Sequence, residues 1–213
     1  MNIPTVPECY RLMSEYSLPI NIIRHSEQVA KISVFLGKKL IEKGKEINLE
    51  LLRVSALLHD IAKPIDFKHF KLDPNFTSFK PSKKDVETWK KLKDESGDLK
   101  HEQAGVLLLQ KLGYVDVAKI VGKHGYSKVI EGFDNYEEKI LYYADKLVKH
   151  DQIRPMKERL EEGHKRYVGG PPYSKEVEET DKKIFELEEE LLKKAGVSQK
   201  DIIELNNICI DKV

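Results

Sequence analysis

The stretch LLRVSALLHDIAKP, Leu51 to Pro64, reads as a short apolar helix that ends on two adjacent polar side chains. Leu51, Val54, Leu58 and Ile61 share one face and Asn48 stands at the N-cap position. Pro64 is expected to close the helix, because it has no N–H for the ladder and restricts the residue before it. His59 follows Leu52 and Ser55 at helical spacing and so faces inward, with Asp60 beside it at the helix end. A carboxylate buried without a partner costs several kcal/mol, so this end of the helix needs a cation or hydrogen-bond donors.

Outward from this stretch the same pattern recurs. Upstream, Ile22, Val29, Ile32, Leu36 and Leu40 mark an amphipathic helix over Pro19–Lys43, and His25 lies on its apolar stripe. Downstream, a helix over Lys100–Leu112 carries His101 in line with Ala104 and Leu108, and one over Asp116–His124 carries His124 in line with Val117, Ile120 and Val121. Gly113 and Gly125 suit the left-handed position that ends a helix. Tyr136–Asp151 reads as a further helix, with Asp145 between the inward Leu141 and Val148. Ser82 caps a short helix through Lys93, residues 65–80 read as a loop, and Val168–Pro172 is the clearest break. Beyond it lie a charged helix over 174–195 and a last one capped by Ser198. Alternating β-branched runs are missing. The expectation is an all-α helical bundle over residues 1–155, with a C-terminal helical extension over 156–213 packed on or beside it.

A lone inward histidine is more often a hydrogen-bonded core residue than a ligand. Four histidines and two aspartates facing one core are harder to explain that way. Neutral imidazoles and carboxylates lack donors for one another, whereas a divalent cation satisfies them together. Nitrogen and oxygen donors without thiolates suit Mn, Fe, Co, Ni or Zn, with Mg also admitted.

Composition excludes several classes. The chain has 213 residues, 40% of them hydrophobic, with 37 basic and 36 acidic side chains and a formal net charge of +1. That balance argues against broad binding to nucleic acid. The two cysteines, Cys9 and Cys209, cannot make a disulfide framework or a thiolate zinc site. Neither a signal segment nor an apolar run near the ~20 residues of a membrane span is present, and the expected location is cytoplasmic.

The order His25, His59-Asp60, Asp145 resembles the HD superfamily of metal-dependent phosphohydrolases, with ALLHDIAK (Ala56–Lys63) similar to its defining stretch and RHSEQVA (Arg24–Ala30) to its first-histidine helix. The resemblance covers about residues 20–155. His101 and His124 resemble the extra histidines of members that hold two metals, whereas the GYP signature of cyclic-dinucleotide hydrolases is replaced by KHGYS (Lys123–Ser127). The resemblance implies that His25, His59, Asp60 and Asp145 hold one metal. It also implies that Asp60 bridges to a second, completed by His101 and His124. Two such metals would lower the pKa of a water between them and neutralise phosphate oxygens. The implied activity is hydrolysis of a phosphate ester or anhydride in a small phosphorylated metabolite, with a nucleotide suggested by what HD relatives hydrolyse. The alternative is a metal-binding sensing module without turnover.

Three candidates remain even between roles. Lys63 is a phosphate contact or a cation favoured at a helix end; Arg154 is a phosphate contact or the ion-pair partner of Glu158; Glu102 supports the site or simply favours its helix start. His69, His150 and His164 read as solvated. A single-strand nuclease groove would need the Lys83–Lys93 segment with Trp89, which reads better as a solvated helix face. The Val177, Ile184, Leu187 and Leu191 stripe is expected to pack on the domain, with pairing to a second copy as the alternative.

Overall fold

The Asn48 side chain accepts a hydrogen bond from the Leu51 N–H at 3.0 Å and so starts the helix that carries the His-Asp pair. This helix packs against a 23-residue one whose single buried glycine, Gly37, lets Leu49 and Leu52 approach its backbone. The computed structural model describes residues 2–70, 72, 77–169 and 171–208. Cys209, Gly170 of the break, and Lys71 and residues 73–76 of the expected loop lie outside them.

In chain order the helices are α1 (Val6–Glu15), α2 (Ile20–Glu42), α3 (Leu49–Leu58), α4 (Lys83–Ser96), α5 (His101–Lys111), α6 (Val115–Val121), α7 (Lys128–Glu131), α8 (Tyr136–Leu147), α9 (Met156–Tyr167), α10 (Lys175–Ala195) and α11 (Gln199–Glu204). The fold is all-α, as the sequence predicts. Helix α3 sits at the centre, flanked by α2, α6 and α8, while α5 packs on α6. Leu52, Ala56 and Leu58 of α3, Val29, Ile32 and Leu36 of α2, and Ile140, Leu141 and Ala144 of α8 are buried and form the core. Helices α9 and α10 pack back on α8, and α10 also meets α2, so the expected apolar stripe is covered at Ile184, Leu187 and Leu191. No helix among the described residues is long and apolar enough to cross a membrane.

Five expectations need correction. Helix α3 stops at Leu58 rather than running to Pro64. Pro64 has no N–H to give Asp60, and the Asp60 carbonyl accepts the Lys63 N–H at 2.9 Å instead, starting a tight 3-10 turn over Lys63–Asp66. Helix α6 stops at Val121, so His124 lies just beyond it, and Gly113 but not Gly125 takes a left-handed conformation. Helix α8 stops at Leu147 because the chain reverses through His150 (φ 56°) into a two-residue hairpin, β1 (Val148–Lys149) with β2 (Gln152–Ile153). Helices α1 and α7 arise in stretches where none was expected, whereas α9 falls within the expected helical extension. His164 of α9 is buried rather than solvated, its Nε2 lying 3.3 Å from Asp181 of α10.

Trp89 is fully buried, with its indole N–H donating to the Ser17 carbonyl at 3.0 Å and its ring against Phe67. It cannot stack on a nucleic-acid base, and it braces the turn that carries Lys63 and Asp66. Trp89→Ala is expected to cost about 3–5 kcal/mol of stability in denaturant titration.

Candidate metal centre

Six side chains from five parts of the chain converge beside the end of α3. His25 comes from the second turn of α2, His59 and Asp60 follow α3, His101 opens α5, His124 follows α6, and Asp145 lies in the last turn of α8. The structure brings together every histidine and aspartate that the sequence analysis expected at a metal. His59, Asp60, His101 and His124 are buried, and His25 and Asp145 are half-buried at the cavity wall.

The ligand atoms fall into two groups that share one carboxylate. Those of His25, His59 and Asp60 lie within 4.8 Å of one another, as do those of Asp60, His101 and His124. Asp145 Oδ1 adds to the first group, at 3.1 Å from His25 Nε2 and 3.4 Å from His59 Nε2. Asp60 Oδ1 is 3.3 Å from His101 Nε2 and 3.7 Å from His124 Nε2, while its Oδ2 faces His59 Nε2 at 3.8 Å.

Backbone carbonyls fix how two of the rings present themselves. His59 Nδ1 is 2.8 Å from the Ala56 carbonyl, and His124 Nδ1 is 2.6 Å from the Val121 carbonyl. A carbonyl only accepts, so each Nδ1 carries the proton, and each Nε2 lone pair is aimed at the cluster. Both Nε2 atoms are buried and have no hydrogen-bond partner. An orphaned buried imine nitrogen beside carboxylates is a poor core feature and a good cation ligand. The residues therefore fit a divalent metal pair by their own chemistry.

The electrostatics agree. Burial works against the charge on Asp60, but the Lys63 ammonium, His59 and the close approach of His101 and His124 hold its carboxyl well below the usual range. Asp145 behaves alike: burial opposes its charge, and Lys146 with the His25 and His59 contacts outweighs it. His101 is the reverse case. Burial opposes its protonation, yet Asp60 and Asp66 raise its pKa to about 9.

Further side chains support these ligands, and Asp66 among them was not legible in the sequence. Asp66 Oδ2 lies 2.5 Å from His101 Nδ1, and Glu102 lies 3.4 Å from the same atom, so both orient that ring. Lys146 donates to the His124 carbonyl at 2.7 Å and to Asp145 Oδ2 at 2.6 Å, tying the two ends of the cluster together. Lys63 Nζ stands 3.1 Å from His101 Nε2 and 3.8 Å from Asp60, facing the same cavity. That cavity, about 520 Å³, is lined by His25, Asp60, His101, His124 and Asp145 and also by α9. Arg154 is exposed and lines a smaller adjoining cavity of about 270 Å³, and His69 is exposed away from both.

This arrangement defines a helical domain built around a paired His/Asp centre. The HD domain family matches residues 22–150, more than half of the chain, and the protein belongs to that family. Among curated proteins, ribonuclease Y of Mycoplasmoides gallisepticum (strain R(low / passage 15 / clone 2)) is 32% identical over 129 residues, which is 60% of this chain and 18% of that relative. The chain thus spans under a fifth of the length of the curated relative it matches. No solved structure matches the chain.

The raised His101 pKa has a sign that can be checked. Its contribution to the stability of chelator-stripped protein is complete below the unfolded value near 6.5 and is lost as pH rises through about 9. Denaturant midpoints of stripped protein should therefore fall between pH 6.5 and 9.5, by on the order of 3 kcal/mol from this group. His101→Gln should flatten that limb.

Proposed function

We propose that the protein is a metal-dependent phosphohydrolase acting on a small phosphorylated metabolite, with a nucleotide as the favoured class. One observation carries the reading: the buried, partnerless Nε2 atoms of His59 and His124 flank the shared carboxylate of Asp60 at the wall of a small-molecule-sized cavity. In this reading His25, His59, Asp60 and Asp145 hold one ion, and Asp60, His101 and His124 hold a second. The donor set suits Mn, Fe, Co, Ni or Zn, with Mg admitted. Ions bound there supply Lewis acidity toward phosphate oxygens and bring the pKa of water toward neutrality.

The chain's own groups have separable tasks. Lys63 keeps its proton: burial opposes the charge, but Asp60, Asp145, Asp66 and Glu102 raise its pKa, so a cation faces the cavity to meet a phosphate oxygen. Asp66 and Glu102 hold His101 in orientation, and the Ala56 and Val121 carbonyls do the same for His59 and His124. Lys146 fixes Asp145. Phosphoryl transfer asks mainly for positioning and charge stabilisation, so a centre with no protein nucleophile is sufficient. Arg154 remains a candidate for a more distant phosphate at the adjoining cavity.

The likeness to a ribonuclease favours a second reading, in which the same centre cuts an RNA phosphodiester. The size of the cavity and the burial of Trp89 speak for the small substrate.

Protein stripped and reloaded with Mn, Co, Ni, Mg or Zn should bind about two ions per chain and release phosphate from at least one nucleotide in a screen that also contains RNA. Asp60→Asn and His59→Ala should each lower that rate at least about a hundredfold, since even residues that merely orient ligands are worth about 10–100-fold. Stable, metal-loaded protein that cleaves neither nucleotides nor RNA would leave a sensing module as the reading. Cleavage of RNA alone would leave the nuclease.

A further inference from the structure

The cavity that the metal-facing residues line also carries a cationic cluster. Lys149 of β1 and Arg159 and Arg166 of α9 line it around Glu162. Glu162 Oε1 lies 2.9 Å from Lys149 Nζ and 3.2 Å from Arg166 Nη2, and Glu162 Oε2 lies 3.0 Å from Arg159 Nη1. Three cations thus share this one carboxylate. The Arg159 guanidinium carries five N–H donors, and Glu162 uses only part of that capacity. Arg159 Nε has no hydrogen-bond partner either, although it is closed off from solvent. A phosphate is the ligand that matches a fork of guanidinium donors and a point-charge lysine.

Tyr167 closes α9 beside this cluster. Its ring is 80% exposed at the cavity rim, unusual for a large aromatic side chain, with the Arg166 guanidinium 5.9 Å from its centroid. An exposed aromatic face next to phosphate-binding cations is the arrangement on which a base can stack. These α9 side chains lie outside the family-matched residues 22–150, so they belong to this chain's extension rather than to the shared metal core.

We infer that α9 is the recognition half of the site: Lys149, Arg159 and Arg166 take a second, non-reacting phosphate and Tyr167 takes the base. The substrate class is therefore a nucleoside diphosphate or longer polyphosphate rather than an ester with one phosphate. This rests on the phosphohydrolase reading for the bond that is cut, but not for what binds.

The test is calorimetric binding of ADP, AMP and inorganic pyrophosphate to the metal-loaded full chain at fixed ionic strength. ADP should bind at least about tenfold more tightly than AMP, the order expected for added charge-assisted hydrogen bonds. Arg159→Gln with Arg166→Gln should bring that ratio to about twofold or less. Arg166→Gln alone, whose side chain is 42% exposed, should lower the ratio without threatening the fold. Tyr167→Ala should weaken ADP and leave pyrophosphate binding as it was. Equal binding of ADP and AMP by the unsubstituted protein, a preference that survives the double substitution, or a Tyr167→Ala effect equal on ADP and pyrophosphate would overturn the inference. The preference with its loss on substitution, in protein that releases no phosphate under any metal, supports the subsite and removes the hydrolase reading instead.

Discussion

The Asp60 carboxylate is the constraint around which the rest of the site is arranged. It is buried, it holds its charge, and it faces His59, His101, His124 and Lys63 at 3.3 to 3.8 Å. An ionised carboxylate in a core is tolerated only among compensating charges. Each compensating group arrives on a different element, so α3, α5, α6 and the 3-10 turn after α3 must meet at one point. The helix packing supplies that meeting. Helix α3 is apolar on nearly every side and is enclosed by α2, α6 and α8, which leaves its C-terminal end free for polar side chains to converge on.

The change from α-helix to tight turns at His59 is therefore functional geometry. A continuous helix to Pro64 would put His59 and Asp60 on adjacent positions of one cylinder, about a hundred degrees apart. The turn instead lets both side chains face the cluster, and it places Lys63 and Asp66 on either side of His101. Pro64 enforces this locally by withholding an N–H, and Trp89 braces it from behind through Phe67. Side chains far from any ligand thus determine whether the metal-facing atoms stand at the right separation.

The parts legible in the sequence were those carried by helical period. His25, His124 and Asp145 stood out because each falls on an apolar stripe of the sequence, and the caps at Asn48, Ser82 and Ser198 lie where the helices begin. Asp66 did not stand out, because it sits on an irregular turn with no period. Helix α9 was obscured by its charge, since only Met156, Leu160 and His164 turn inward. Their spacing of four is nevertheless the signal used elsewhere, with His164 as the polar residue on the stripe. The β1–β2 hairpin is too short for alternation to register.

Helix α9 also changes what the fold can select. The family-matched core lines the cavity with imidazole and carboxylate groups, and under the proposed phosphohydrolase reading these would be indifferent to what lies beyond a phosphate group. Discrimination has to come from elsewhere, and another wall is built by the hairpin and α9. That wall is tied to the core through buried polar contacts: Tyr126, which follows the metal-facing His124, donates to Asp181 of α10 at 2.7 Å, and His164 of α9 packs against the same aspartate. Partly buried contacts thus connect the C-terminal helices to the residues beside His124. If α9 is the recognition half of the site as inferred above, the separation between the His/Asp cluster and these cations would be the physical basis for choosing among phosphorylated compounds that share the same scissile group.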